Sequence, residues 1–369
     1  MSAMNGVPTL QLASESWDSD ADEILVCQAV REETHDVKTF MLKPLSPRRF
    51  SYQPGQFMTY SFEIGGETIH RCYTISAAPT RPDTISLTVK RVPNGPVSNW
   101  LHDNLKPGVR LKALGPMGDF TCFSHPAARY LFLSGGSGIT PLMSMARTFH
   151  DLADPKDIVF VHSARTSADI IFRDELEMMA RLNPNFRFAP VVEAVTPHAP
   201  SSGLRGRLST PMLSLIAPDF LTREIFVCGP APYMAAVRAM LEAAGFDMKR
   251  YHEESFNFAE LTKSEQSEVL VAEVAENLDV PVKTFKVEFT KTRRSIEVPE
   301  NMFVLEAAKR AGMRLPSSCT QGMCGTCKSK KVSGSVDMTH QGGIRQREID
   351  AGMVLLCCSK PTSDLVIER

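Results

Sequence analysis

Four of the nine cysteines stand at Cys319, Cys324, Cys327 and Cys357, a C-x4-C-x2-C run followed after 29 intervening residues by a fourth thiol. Thiolates are the ligands that iron-sulfur clusters require, and this asymmetric spacing is the one that holds a [2Fe-2S] centre. Gly322 and Gly325 lie inside the run, where the lack of a Cβ lets backbone N–H groups approach sulfur. A structural zinc site, the competing use of four thiolates, is usually built from paired CxxC or Cys/His knuckles. Cys358 adjoins the fourth thiol and is expected to be a buried bystander. The histidines, His252 included, form no pair at ligand spacing and are given no role.

Three further constellations precede the cysteines. Arg71-Cys72-Tyr73-Thr74 is followed by the turn Gly95-Pro96-Val97-Ser98, Gly135-Gly136-Ser137-Gly138-Ile139-Thr140-Pro141 follows an apolar strand, and Cys228-Gly229-Pro230 ends another. The glycine loop departs from the GxGxxG dinucleotide fingerprint, with Pro141 in place of the third glycine, so the standard reading fails. Together these segments resemble the ferredoxin reductase superfamily, and residues 283 to 369 resemble a plant-type ferredoxin.

The resemblance implies an assignment of roles. Arg71 supplies a cation for a pyrophosphate, Tyr73 an aromatic plane for an isoalloxazine, and Thr74 a hydroxyl near flavin N5. Gly95, Val97 and Ser98 open a helix whose N-terminus suits the pyrophosphate. The family binds FAD or, in one branch, FMN; the helix-opening turn favours FAD. Gly135, Gly136, Gly138, Thr140 and Pro141 receive a nicotinamide dinucleotide, with Cys228, Gly229 and Pro230 at the mouth of its site. As a lone residue, Cys228 reads as a buried strand-end thiol; the neighbouring motifs give it the nicotinamide-site role. Phe256 would cover the flavin face and Glu254 would assist near the nicotinamide, although a tail packed on the core explains Glu254 as well. Arg165 is the one cation in the stretch 163–169, and Asp169 beside it would repel a 2'-phosphate; NADH is therefore expected over NADPH.

These residues need elements to hold them. With 369 residues, 43% hydrophobic and 22% charged, the chain suits two to three domains with ordinary cores. Residues 21–124 carry short β-like runs with Pro/Gly turns and read as an antiparallel β-barrel. Residues 125–258 alternate strands and helices, the pattern of an α/β domain with a parallel sheet. Residues 259–282 hold six acidic residues and one Lys and read as an acidic linker with one short helix at most. Residues 283–369 form an α+β β-grasp unit by resemblance, and residues 1–20 read as a flexible tail. No signal-peptide pattern or run of ~18 apolar residues appears, so a cytoplasmic protein without membrane contact is expected. The net charge of -1 argues against a nucleic-acid binder. That average is split: residues 283–369 hold 15 Lys+Arg against 9 Asp+Glu, and Lys328, Lys330 and Lys331 are read there as an exposed docking patch.

Flavin, nicotinamide and cluster signals in that order describe an electron path, since a hydride carries two electrons and a [2Fe-2S] centre takes one. The whole chain resembles the reductase component of two-component Rieske oxygenases, nearest to those serving demethylation of quaternary amines such as glycine betaine, stachydrine or carnitine. That likeness implies a Rieske-type oxygenase partner. Two alternatives stay open: an NADH oxidoreductase for a hybrid-cluster protein, and a non-catalytic metal-binding adaptor.

Overall fold

The computed structural model describes residues 15–19, 21–194, 203–255, 283–313, 315, 317, 320–322 and 325–369. The expected linker, Phe256, Cys319 and Cys324 lie outside the described residues.

The first unit comprises β1 (Ile24–Thr34), β2 (Val37–Pro44), β3 (Phe57–Ile64), β4 (Glu67–Thr74), β5 (Ile85–Lys90), helix α1 (Pro96–Asn104) and β6 (Arg110–Met117). Its strands pair antiparallel in the order β4-β3-β6-β1-β2-β5. A bridge between Ile75 and Leu87 joins the two ends and closes a barrel. Alternation along the strands sends Leu25, Phe40, Leu42, Met58, Tyr60 and Leu87 inward, as a pleated strand with one buried face requires. Part of the segment expected as a tail is packed on the first unit. Trp17 is buried against this core, tilted over Phe50, and its indole N–H donates to Gly115 O at 2.8 Å. A large aromatic with a satisfied polar edge gains more from burial than the chain loses in freedom. Trp100, on α1, packs on the same core with its ring against Phe62.

The second unit runs β7 (Arg129–Gly135), α2 (Ile139–Asp151), β8 (Asp157–Ala164), α3 (Arg173–Leu182), β9 (Phe186–Val192), β10 (Leu204–Arg205), α4 (Thr210–Ile216), β11 (Glu224–Gly229), α5 (Ala231–Ala243) and β12 (Tyr251–Ser255). All strand pairs are parallel, in the order β10-β9-β8-β7-β11-β12. Both faces are covered. Tyr130 and Phe132 pack with α2 and α3 on one side, while Leu131 and Leu133 pack with α4 and α5 on the other. Tyr251–Ser255, which holds Glu254, is a sheet strand in register with β11.

The third unit has β13 (Thr284–Phe289), β14 (Arg294–Pro299), α6 (Val304–Arg310), β15 (Lys328–Ser333), β16 (Val336–Met338), α7 (Gln346–Asp350), β17 (Met353–Leu355), β18 (Ser359–Pro361) and β19 (Leu365–Glu368). A mixed sheet ordered β14-β13-β19-β15-β17 packs on α6, with β16 and β18 paired apart. No helix among the described residues is long and apolar enough to cross a membrane.

Candidate functional site

Strand β4 presents the first constellation. Arg71 is half-buried and donates Nη1–H to His70 O at 2.8 Å, and the Tyr73 ring lies 6.2 Å from that of Tyr60. Thr74 is buried, yet its Oγ1 has no hydrogen-bond partner among the described residues. An unpaired buried hydroxyl is costly, so this one fits a group supplied from outside the chain. Gly95 caps α1, where Ser98 Oγ donates to Gly95 O at 3.2 Å and accepts from Val92 N at 3.1 Å. Those bonds fold the turn tightly around the helix start. Val97 anchors it in the barrel core.

The second constellation sits at the C-terminal edge of the parallel sheet, where open α/β folds take ligands. Gly135 ends β7 and Gly136 has φ +53°; Thr140 and Pro141 are buried in the first turn of α2. A Cβ on Gly138 would stand 2.4 Å from Cys228 C and O, so the loop lies flat on the end of β11. Cys228 is fully buried, with burial and then nearby Glu254 pushing its thiol well up. The register pairs Cys228 with Glu254. Glu254 Oε2 is buried without a partner among the described residues, and burial pushes its carboxyl up to about 8. Gly229 and Pro230 lead into α5.

The barrel and the parallel-sheet unit are pinned beside these two constellations. Ser144 Oγ, on α2, donates to Ala77 O at 2.6 Å, and Arg147 Nη1 to Ser76 O at 2.5 Å. Arg147 is itself held by Glu175 at 2.6 Å. Thr74 and the glycine loop are therefore fixed relative to each other by α2. Sequence reasoning missed this clamp, as it missed His162, whose Nδ1 meets Ser134 Oγ at 2.7 Å while Nε2 is buried without a partner. Position at the end of β8 was the available signal.

Arg165 is committed to carboxylates: Nη2 lies 3.0 Å from Asp169 Oδ1 and 3.3 Å from Asp36 Oδ2. Asp169 in turn accepts from Thr166 N and Oγ1.

In the third unit, Cys327 Sγ and Cys357 Sγ are both buried and 3.2 Å apart. Gly322 N–H donates to Cys357 Sγ at 3.2 Å from a backbone at φ +73°, and a Cβ there would meet Cys358 Sγ at 2.7 Å. Two converging thiols with an amide donor and a loop that excludes side chains are a donor set suited to an iron-sulfur cluster. Cys358 is buried, with Sγ 3.6 Å from Leu355 O.

Two expectations need correction. Lys328 is not part of an exposed patch: it is buried, because Glu348 on α7 folds against it with Oε1 2.8 Å from Nζ. Its aliphatic stem fills space while Glu348 meets the charge. Lys330 stays exposed, and Lys331 is half-buried. The histidines do form a pair in space. His125 and His252 have ring centroids 3.7 Å apart, and His252 Nε2 lies 2.6 Å from Glu224 Oε1.

Three family descriptions match the chain in order: "Oxidoreductase FAD-binding domain" over residues 25–122, "Oxidoreductase NAD-binding domain" over 132–239, and "2Fe-2S iron-sulfur cluster binding domain" over 287–362. The chain is similar to the glycine betaine monooxygenase reductase subunit of Pseudomonas aeruginosa, with 47% identity over 97% of this chain and 98% of that one. It is also similar to the stachydrine N-demethylase reductase subunit of Rhizobium meliloti, with 39% identity over 97% and 99%. Among solved structures, phthalate dioxygenase reductase matches at TM-score 0.55 and 22% identity over 95% of this chain and 98% of that one, a likeness of fold.

Proposed function

The chain belongs to the family of monooxygenase reductase subunits that join FAD-binding, NAD-binding and [2Fe-2S] domains, and from that membership we propose that it draws electrons from NADH for a Rieske-type oxygenase demethylating a quaternary amine such as glycine betaine. It is an oxidoreductase. The similarity to a glycine betaine monooxygenase reductase subunit along 97% of the chain carries the proposal.

Bound FAD supplies the conversion between a two-electron hydride and the single electrons a [2Fe-2S] centre accepts. The chain's own residues do the rest. In this reading, residues 21–124 hold the flavin through Arg71, Tyr73, Thr74 and the Gly95–Ser98 turn, with the unpartnered Thr74 hydroxyl facing the flavin edge. Residues 125–258 hold the dinucleotide on the loop from Gly135 to Pro141 and against Cys228, Gly229 and Pro230. With burial pushing its carboxyl up to about 8, Glu254 would carry a proton beside Cys228 and offer a carboxyl O–H as donor. Residues 283–369 hold the cluster through Cys319, Cys324, Cys327 and Cys357. Delivery to a Rieske centre is downhill, from about -400 mV to roughly -150 mV or higher.

The preference for NADH rests on Arg165. Its guanidinium faces Asp36 and Asp169, so a 2'-phosphate would have to displace two carboxylates that repel it.

The purified holoprotein, the co-expressed oxygenase, NADH and glycine betaine should together release formaldehyde and dimethylglycine in step with NADH oxidation. Electron delivery only to a protein with unrelated iron-sulfur ligands would replace the amine reading with the hybrid-cluster one. A higher kcat/KM for NADPH would overturn the donor assignment.

A further inference from the structure

The third unit touches the barrel through a small set of residues between its cluster thiols. Arg345 is buried, and its guanidinium reaches across to the first unit: Nη2 donates to Ala113 O at 2.9 Å and Asp22 O at 3.3 Å, Nε donates to Ser19 O, and Nη1 lies 3.4 Å from Glu23 Oε2. Arg347 Nη2 meets the same Glu23 oxygen at 2.6 Å. The partners are 232 or more positions away in sequence. A guanidinium that saturates its donors on carbonyls and a carboxylate fixes orientation as well as distance.

The same segment is wired to the cluster loop. Gln341 N and Gly343 N donate to Gly322 O at 3.1 and 3.0 Å, and Gly322 N donates to Cys357 Sγ. Arg345 N donates to Glu348 Oε2 at 2.8 Å, and Glu348 holds Lys328, the neighbour of Cys327. On the barrel side, the contact lies on Ala113 of β6 and on Ser19, Asp22 and Glu23 ahead of β1. His70, next to Arg71 on β4, is pushed down to about 4 first by burial and then by the charges of Lys328 and Arg369, so these groups of the third unit lie close to it.

We infer that Arg345, assisted by Arg347, is a positioning residue that seats the cluster loop on the flavin barrel, and that this seated arrangement is the one in which the cluster is reduced. The inference rests on the electron path proposed above. It adds a docking contact within the chain, made from residues outside every cofactor motif. Net electron flow is unchanged: one hydride in, two single electrons out.

The test uses the full-length holoprotein. In the Arg345→Glu/Arg347→Glu variant, small-angle scattering should give a larger radius of gyration than the parent. Rapid mixing with NADH should leave flavin bleaching at the parental rate while cluster reduction, followed by freeze-quench EPR, slows by roughly tenfold or more. The EPR line shape of the reduced cluster should stay parental, which a damaged cluster site would not allow. Should that variant not fold, Glu23→Arg alters only the barrel side and should slow cluster reduction; adding Arg347→Glu should restore part of the rate. Unchanged compaction and cluster reduction in these variants would overturn the docking role. Failure of the parent protein to reduce its cluster with NADH would instead sink the electron path itself.

Discussion

At the scale of single residues, two buried polar groups without partners separate function from packing. Thr74 Oγ1 makes no hydrogen bond among the described residues, so Thr74→Val removes a desolvated hydroxyl worth about 1–3 kcal/mol of destabilisation. The flavin-free variant should melt at or above the parental temperature while binding FAD more weakly, by roughly tenfold for one lost hydrogen bond. Melting curves with and without FAD check both signs, and a variant that loses stability with unchanged FAD affinity would make Thr74 structural. Glu254 tests the other group through pH. Its carboxyl stands at about 8 against a usual value of 4.5, so between those values the folded chain keeps a proton that the unfolded chain has released. Stability therefore falls as pH rises through that window. His70 and His162, pushed down to about 4 and about 3 from 6.5 by burial, act in the opposite sense and cost stability as pH falls below 6.5. Glu254→Gln keeps the shape without the titration. Its melting temperature should stay flatter than the parent's from about pH 6.5 to 8, above the window of the two histidines, and parallel curves there would remove Glu254 as the source.

At the scale of elements, the contact between the glycine loop and β11 is the tightest joint in the nucleotide site. Gly138→Ala would drive a methyl into the Cys228 carbonyl at 2.4 Å, and backbone on both sides leaves no flexible side chain to yield. Overpacking of this kind costs about 1–3 kcal/mol; the loop should lift from the strand, raising KM for NADH while flavin content stays parental. Steady-state kinetics with a flavin assay check this, and an unchanged KM would dissociate loop height from nucleotide binding. These elements were legible because their signals are local. The apolar runs at 130–134, 157–162 and 224–228 became β7, β8 and β11, and ArgAspGluLeuGluMetMetAlaArgLeu became α3, since each carries its own periodicity and punctuation. The site was legible where motif spacing maps onto one strand or turn. It was opaque where partners meet from afar: Lys328 reads as exposed until Glu348, 20 positions on, is folded against it. His125 and His252 converge only through the packing of the connection after β6 onto β12, and Trp17 looks like tail until Gly115 offers it a carbonyl.

At the scale of the whole molecule, three units share one chain but keep their chemistry separate. Cys357→Ser removes the sulfur that lies against Cys327 and accepts from Gly322. It should abolish the visible and EPR signature of the cluster and electron delivery to a one-electron protein acceptor, yet spare flavin bleaching by NADH. Cys358→Ser should leave all three close to parental. Simultaneous loss of flavin bleaching in Cys357→Ser would contradict a modular path. The same segregation has an optical consequence. The chain has two tryptophans, and both Trp17 and Trp100 pack on the barrel core, so the indole emission of the entire polypeptide originates in one unit. The flavin site proposed on β4 lies in that unit, so bound flavin would drain the emission by energy transfer, whereas the parallel-sheet unit and the third unit contribute no indole light of their own. A fluorescence titration of the full-length protein with flavin thus reads occupancy and unfolding of the barrel, with no label and no dissection of the chain.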